Sequence, residues 1–138
     1  MKTVSVYILI IATILLTFSV SLGLSFAQTF TTDIDAAFLS DVDNKLYLLK
    51  GDQYVRLSFV VGEGATMDEG YPQPIADWTG LTANFTSDID TAFLSDVDNK
   101  LYLLKGDQYI RLSFVVGEGA IMDEGYPQPI ADWTGVPG

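Results

Sequence analysis

The sequence predicts an all-β protein made of two consecutive copies of one blade-like unit, each closing on a short helix. Three observations carry this. Residues 29–83 align without a gap onto residues 84–138, and 47 of the 55 positions are identical. Within each copy, short apolar or alternating runs are separated by tight clusters of Gly, Asp and Asn, which is how hairpins are written. A unit of this length with several strands cannot bury its apolar face alone and needs neighbours, which is the arithmetic of a propeller blade. A solenoid of strands uses shorter repeats, and a helical array does not carry two hairpins per unit.

The elements follow in order along the first copy. Asp33-Ile34-Asp35-Ala36-Ala37-Phe38-Leu39 is a short run with small and apolar residues after the acids. Asp41-Val42-Asp43-Asn44 is dense in turn formers. Lys45-Leu46-Tyr47-Leu48-Leu49-Lys50 is a strand by its apolar run and its tyrosine. Gly51-Asp52 is a two-residue hairpin connection. Gln53-Tyr54-Val55-Arg56-Leu57-Ser58-Phe59 alternates as a half-buried strand does. These runs form an antiparallel meander, and residues 65–68 add a short outer strand. Tyr71-Pro72-Gln73-Pro74 is extended, because each proline locks its own φ and restrains its predecessor. Pro74-Ile75-Ala76-Asp77-Trp78 reads as one or two helical turns stopped at Gly80. The second copy repeats this from Asp88 to Gly135.

The first 27 residues are of another kind. Lys2 is the only charge before Asp33, and residues 4–18 are mostly apolar. Ser25 and Ala27 suit a signal-peptidase site that would leave Gln28 as the new N-terminus. The alternative is an uncleaved membrane anchor, since residues 4–27 are long enough to span. Ser19, Ser21 and Gly23 favour cleavage. Both readings place the repeats outside the cell, secreted in the first case and anchored in the second. The division expected is therefore a leader over 1–27 and repeats over 28–83 and 84–138.

Without Lys2, six basic residues face 18 acidic ones, a net charge of −12. That argues against nucleic acid and anionic membrane surfaces, which select basic patches. The chain contains no Cys and no His, so it has neither a disulfide nor the commonest catalytic base. It also lacks a Gly-rich phosphate loop and a His-Glu-x-x-His zinc signature. Its acids fall at matched turn positions of the two copies, as solvated loops do. The chain is read as a non-enzyme.

The ordered set Asp35-Ala36-Ala37-Phe38, Lys45-Leu46-Tyr47-Leu48-Leu49-Lys50-Gly51, Tyr54-Val55-Arg56, Met67-Asp68-Glu69-Gly70-Tyr71-Pro72 and Ile75-Ala76-Asp77-Trp78 resembles the hemopexin-like repeat. Both copies carry it, over nearly all of residues 30–135. The resemblance implies a four-bladed β-propeller of which this chain supplies two blades. It implies that the first strand of each blade lines a central channel. There, backbone carbonyls of Asp35 and Asp90 would hold a calcium or sodium ion, and Ala37 and Ala92 would supply a second layer suited to an ion such as chloride. Hard cations take oxygen ligands, and carbonyls qualify.

Two blades leave an open wedge with exposed faces. A homodimer closes the ring most simply. A larger ring, pairing with another repeat protein, or a truncated product that never closes are the alternatives. The function expected is a binding or scaffold module for a protein, glycan or polyamine, working through its loops or channel mouth. The alternatives are a small-ligand carrier for polyamine or heme and an adhesion protein of an envelope or matrix. With no histidine the usual axial ligand is missing, which argues against heme, and Met67 and Met122 read as packing. Asp41-Val42-Asp43-Asn44 and Asp96-Val97-Asp98-Asn99 lack the Gly and distal Glu of an EF-hand and read as turns. The repeated Tyr47, Tyr54, Tyr71 and Trp78 are expected between blades, and Arg56 and Arg111 are expected to pair with acids of their own blade. Asn84-Phe85-Thr86 is a glycosylation sequon present in the second copy alone.

Overall fold

A computed structural model of the chain describes residues 28–115 and 119–137. The leader or anchor expected over residues 1–27 lies outside them. The first repeat forms an antiparallel sheet of β1 (Ala36–Ser40), β2 (Lys45–Lys50), β3 (Gln53–Val60) and β4 (Gly64–Met67) in that order, with β5 (Gln73–Pro74) also on β3. The second repeats it with β6 (Thr91–Ser95), β7 (Lys100–Lys105), β8 (Gln108–Val115), β9 (Gly119–Met122) and β10 (Gln128–Pro129).

Turn chemistry sets the register. Asn44 takes φ 55°, and the Asp43 carboxylate accepts from the Lys45 amide at 3.2 Å and from the Tyr47 hydroxyl at 2.7 Å. This turn therefore uses its acid on its own chain, as the sequence suggested. Gly51, at φ 54°, makes the next connection. Pairing then places Phe38 opposite Tyr47, and Tyr47 opposite Arg56.

Two details differ from expectation. The outer strand begins one residue earlier, at Gly64, because Gly64 pairs with Val60 at the far end of β3; it is assigned as far as Met67, with the Asp68 amide still donating in register to the Arg56 carbonyl. The helix is a single 3₁₀ turn, Ile75–Asp77. Its first amide is already used by the Asp52 carbonyl at 2.8 Å and its exit is fixed by Trp78 N–H on the Ile75 carbonyl, which leaves no length for an α-turn. The Tyr71–Pro72 and Tyr126–Pro127 peptides are cis.

Because side chains alternate along strands, each sheet has two distinct faces. One is aromatic: Phe38, Tyr47 and Tyr54 in the first blade, Phe93, Tyr102 and Tyr109 in the second. The other is aliphatic: Leu46, Leu48, Leu57 and Phe59, with counterparts Leu101, Leu103, Leu112 and Phe114. The blades pack aromatic face of the first against aliphatic face of the second. Phe114 stands edge-on to Phe38 at 6.0 Å and to Tyr47 at 5.3 Å, and Trp78 lies over Gly119. Leu101, Leu103, Ile110 and Leu112 are fully buried in this common core. Each such side chain contributes about 1.5–3 kcal/mol.

The backbone also crosses the joint. Thr79 leaves the first blade and forms a parallel bridge to Ile121, giving its N–H to the Ala120 carbonyl and accepting from Met122 N–H, both at 2.9 Å. The linker then makes a 3₁₀ turn, Ala83–Phe85, whose Phe85 is fully buried, and Asp88 N–H reaches back to the Gly51 carbonyl at 2.8 Å. This arrangement brings β1 and β6, the first strand of each blade, side by side.

Candidate functional site

The residues at the start of these two strands meet. Asp35 and Asp90, with Asp88 and Ile89, line one small opening of about 200 Å³. One carboxylate oxygen of Asp35 accepts from Gly51 N–H, and one of Asp90 accepts from Gly106 N–H, each at 2.7 Å. Each aspartate is thus committed to its own hairpin. The amides of Asp35 and Asp90 donate to the carbonyls of Leu49 and Leu104, both at 3.0 Å. The Asp90 carbonyl also accepts from the Thr91 hydroxyl at 2.8 Å, a bond with no counterpart at Ala36. Ala92 is buried and Ala37 exposed, although the same letter occupies both positions. The opening is lined by three aspartates and Ile89. Among the described residues no group of three or more His, Cys, Asp or Glu side chains is placed to hold a metal ion.

A second constellation repeats in each blade. Asp68 accepts from Arg56 Nε at 2.6 Å and from Ser58 Oγ, while Lys45 approaches at 3.7 Å. Asp123 accepts from Arg111 Nε and Ser113 Oγ, both at 2.7 Å, with Lys100 at 3.3 Å. The Asp68 carboxyl is held below its ordinary value, by the Ser58 hydrogen bond first, against the effect of burial, and then by Arg56 and Lys45. Burial raises Asp123, but Ser113, Arg111 and Lys100 together outweigh it and lower it. Arg56 and Arg111 also lie over the rings of Tyr71 and Tyr126, at 5.1 and 5.2 Å. Both arginines pair within their own blade, as the sequence indicated.

A cavity of about 260 Å³ lies where the blades meet. Tyr47, Tyr54, Tyr71 and Trp78 line one side with Asp43 and Asp77, and Phe114 and Gly119 of the second blade close the other. Burial, with the Asp43 hydrogen bond next, pushes the Tyr47 phenol well above its ordinary range. The first copy's recurring aromatics do stand between the blades, whereas their counterparts Tyr102, Tyr109, Tyr126 and Trp133 are only partly buried and do not line this cavity. Sequence reasoning missed the strand bridge at Thr79 and the presence of Asp88 beside the paired aspartates. Thr134 and Asp33 repeat both residues, so no letter distinguished the copy that is used.

Two matching four-stranded antiparallel blades, with a fifth short strand each and first strands side by side, define a β-propeller protein of which this chain carries two blades. The Hemopexin family model matches residues 34–81 and 89–138, and the chain belongs to the hemopexin family. It is 37% identical over 100 residues to Albumin-2 of Lathyrus sativus, a match covering 68% of this chain and 41% of that protein. Among solved structures it is similar to a plant lectin with two metal binding sites from Cicer arietinum (TM-score 0.62, 32% identity, 78% of this chain and 47% of that one). It is also similar to a plant albumin of Cicer arietinum showing hemagglutination (TM-score 0.63, 28% identity, 77% and 46% covered). The chain thus spans less than half the length of each of these three proteins.

Proposed function

We propose that this chain is an exported, non-catalytic binding module, half of a four-bladed ring that a homodimer completes, with a structural calcium or sodium ion on the ring axis. Carbonyls of Asp35 and Asp90 hold the cation, and Ala37 and Ala92 supply a second layer where an anion such as chloride can sit. Loops and the channel mouth present the surface for a protein or glycan. The observation that carries this reading is the shared opening at Asp35 and Asp90. The hemagglutinating albumin and the lectin with metal sites support it.

Calcium takes about 6–8 oxygen ligands, so two carbonyls from one chain are too few and a closed ring with waters is the natural holder. Calorimetric titration with calcium is expected to saturate near one ion per two chains. If carbonyls are the ligands, Asp35→Asn with Asp90→Asn keeps most of the affinity, whereas carboxylate ligation would lose it. Absence of both binding heat and thermal stabilisation at millimolar calcium defeats the axial-ion reading.

A second reading, a small-ligand carrier, draws on the cavity between blades. Four aromatic side chains with Asp43 and Asp77 suit an organic cation. At about 260 Å³ it is under the ~300–1,000 Å³ of drug-sized sites, so a slender polyamine suits it better than heme. Spermine titration tests the first ligand, and a Soret shift on heme addition tests the second.

A further inference from the structure

We propose that the joint inside this chain is the template for a second one. A second copy lays the aliphatic face of its first blade on the aromatic face of the second blade, and two such joints close the ring. This rests on the half-ring reading and names the surfaces that make it.

The chain itself reveals what covers each face. Phe38, inside the joint, is 4% exposed, while its repeat counterpart Phe93 is 39% exposed. On the opposite face Ala120 is fully buried and Phe114 partly so, whereas their counterparts Ala65 and Phe59 are exposed, Phe59 at 59%. Met67, counterpart of the partly buried Met122, is also exposed. Identical residues thus differ in burial because one set has a neighbour and the other does not. The two bare faces are the two halves of the joint already made within the chain. A large exposed apolar surface of this kind marks an interaction site.

Of the eight positions at which the copies differ, two at the joint change its polarity. Thr66 stands where Ile121 takes the strand bridge, and Thr91 stands where Ala36 is buried. The outer joint is therefore more polar than the inner one, which keeps a separate chain soluble at the cost of affinity. Each copy also carries a net charge of −11, so salt should favour association. The same docking walls a second cavity. Tyr102, Tyr109 and Trp133 then face the partner's Phe59 and Gly64, as Tyr47, Tyr54 and Trp78 face Phe114 and Gly119.

The strand bridge supplies a direct test. Thr79 pairs with Ile121 inside the chain, so Thr134 is expected to pair with Thr66 of the second copy. The chain has no cysteine, so Thr66→Cys with Thr134→Cys adds the only thiols. Under mild oxidation, with calcium or with chelator, this variant is expected to run as a covalent dimer on a non-reducing gel. Thr79→Cys with Ile121→Cys is the folding control and gives an internal link in a monomer. If the control links and the Thr66/Thr134 variant stays monomeric in both buffers, docking is overturned, while calcium binding measured separately still decides the axial-ion reading. A ladder of higher species overturns ring closure in favour of an open filament. Independently, Phe59→Asp, on a side chain already exposed, is expected to weaken dimerisation by about thirtyfold or more in light scattering, the scale of an interface anchor. An unchanged dimer would place the contact elsewhere.

Discussion

Asp68 and Asp123 show how one carboxylate organises a blade. Each gathers an arginine, a lysine and a serine from β2, β3 and their counterparts, tying three strands with charge-assisted bonds. Both carboxyls are held below the ordinary aspartate value of the unfolded chain. The sign follows: their stabilisation is complete above that value and is lost as pH falls through the lower folded values. Thermal unfolding followed from about pH 5 to pH 2 should show the midpoint falling in the acid arm. Asp68→Asn should flatten that arm. At neutral pH it should cost about 1 kcal/mol, since the site is partly solvated, or about 4–8 °C in midpoint. An Asp68→Asn chain with the parent's acid arm would show that other groups govern acid unfolding.

At the scale of elements, β3 and β8 have nearly the same letters and different surroundings. Leu112 is fully buried against the first blade, whereas Leu57 is only half-buried. Leu112→Ala is expected to cost about 2–5 kcal/mol, as core leucines do, and Leu57→Ala distinctly less in dilute solution. Denaturant melts of the two variants check this, and equal losses would mean that the faces are equally covered. The meander was legible in the sequence because turn residues at Asp43-Asn44 and Gly51-Asp52 bracket alternating runs, so register followed from local chemistry. The end of each blade was less legible. Whether residues 75–77 wind as α or 3₁₀ depends on the Asp52 carbonyl, a partner more than twenty positions away.

For the whole molecule, the repeat made the blade pair legible and hid the asymmetry between its halves. Nothing in Phe38 and Phe93 as letters tells which is covered; chain connectivity decides that. The candidate ion residues Asp35 and Asp90 could be named from the resemblance, and their meeting at one opening required both blades in place. If a second copy completes the ring, the thermal midpoint should rise with protein concentration, because association stabilises by mass action. Differential scanning calorimetry over a hundredfold dilution series checks this, and a constant midpoint would argue for an independently stable half. The two tryptophans offer an optical gauge of the same event. Trp78 is sealed in the inner joint at 3% exposure, while Trp133 stands half-open at the bare edge. A Trp78→Phe chain therefore carries one indole whose emission should move to the blue on assembly and redden on dilution, so that fluorescence alone can read out docking with no label attached.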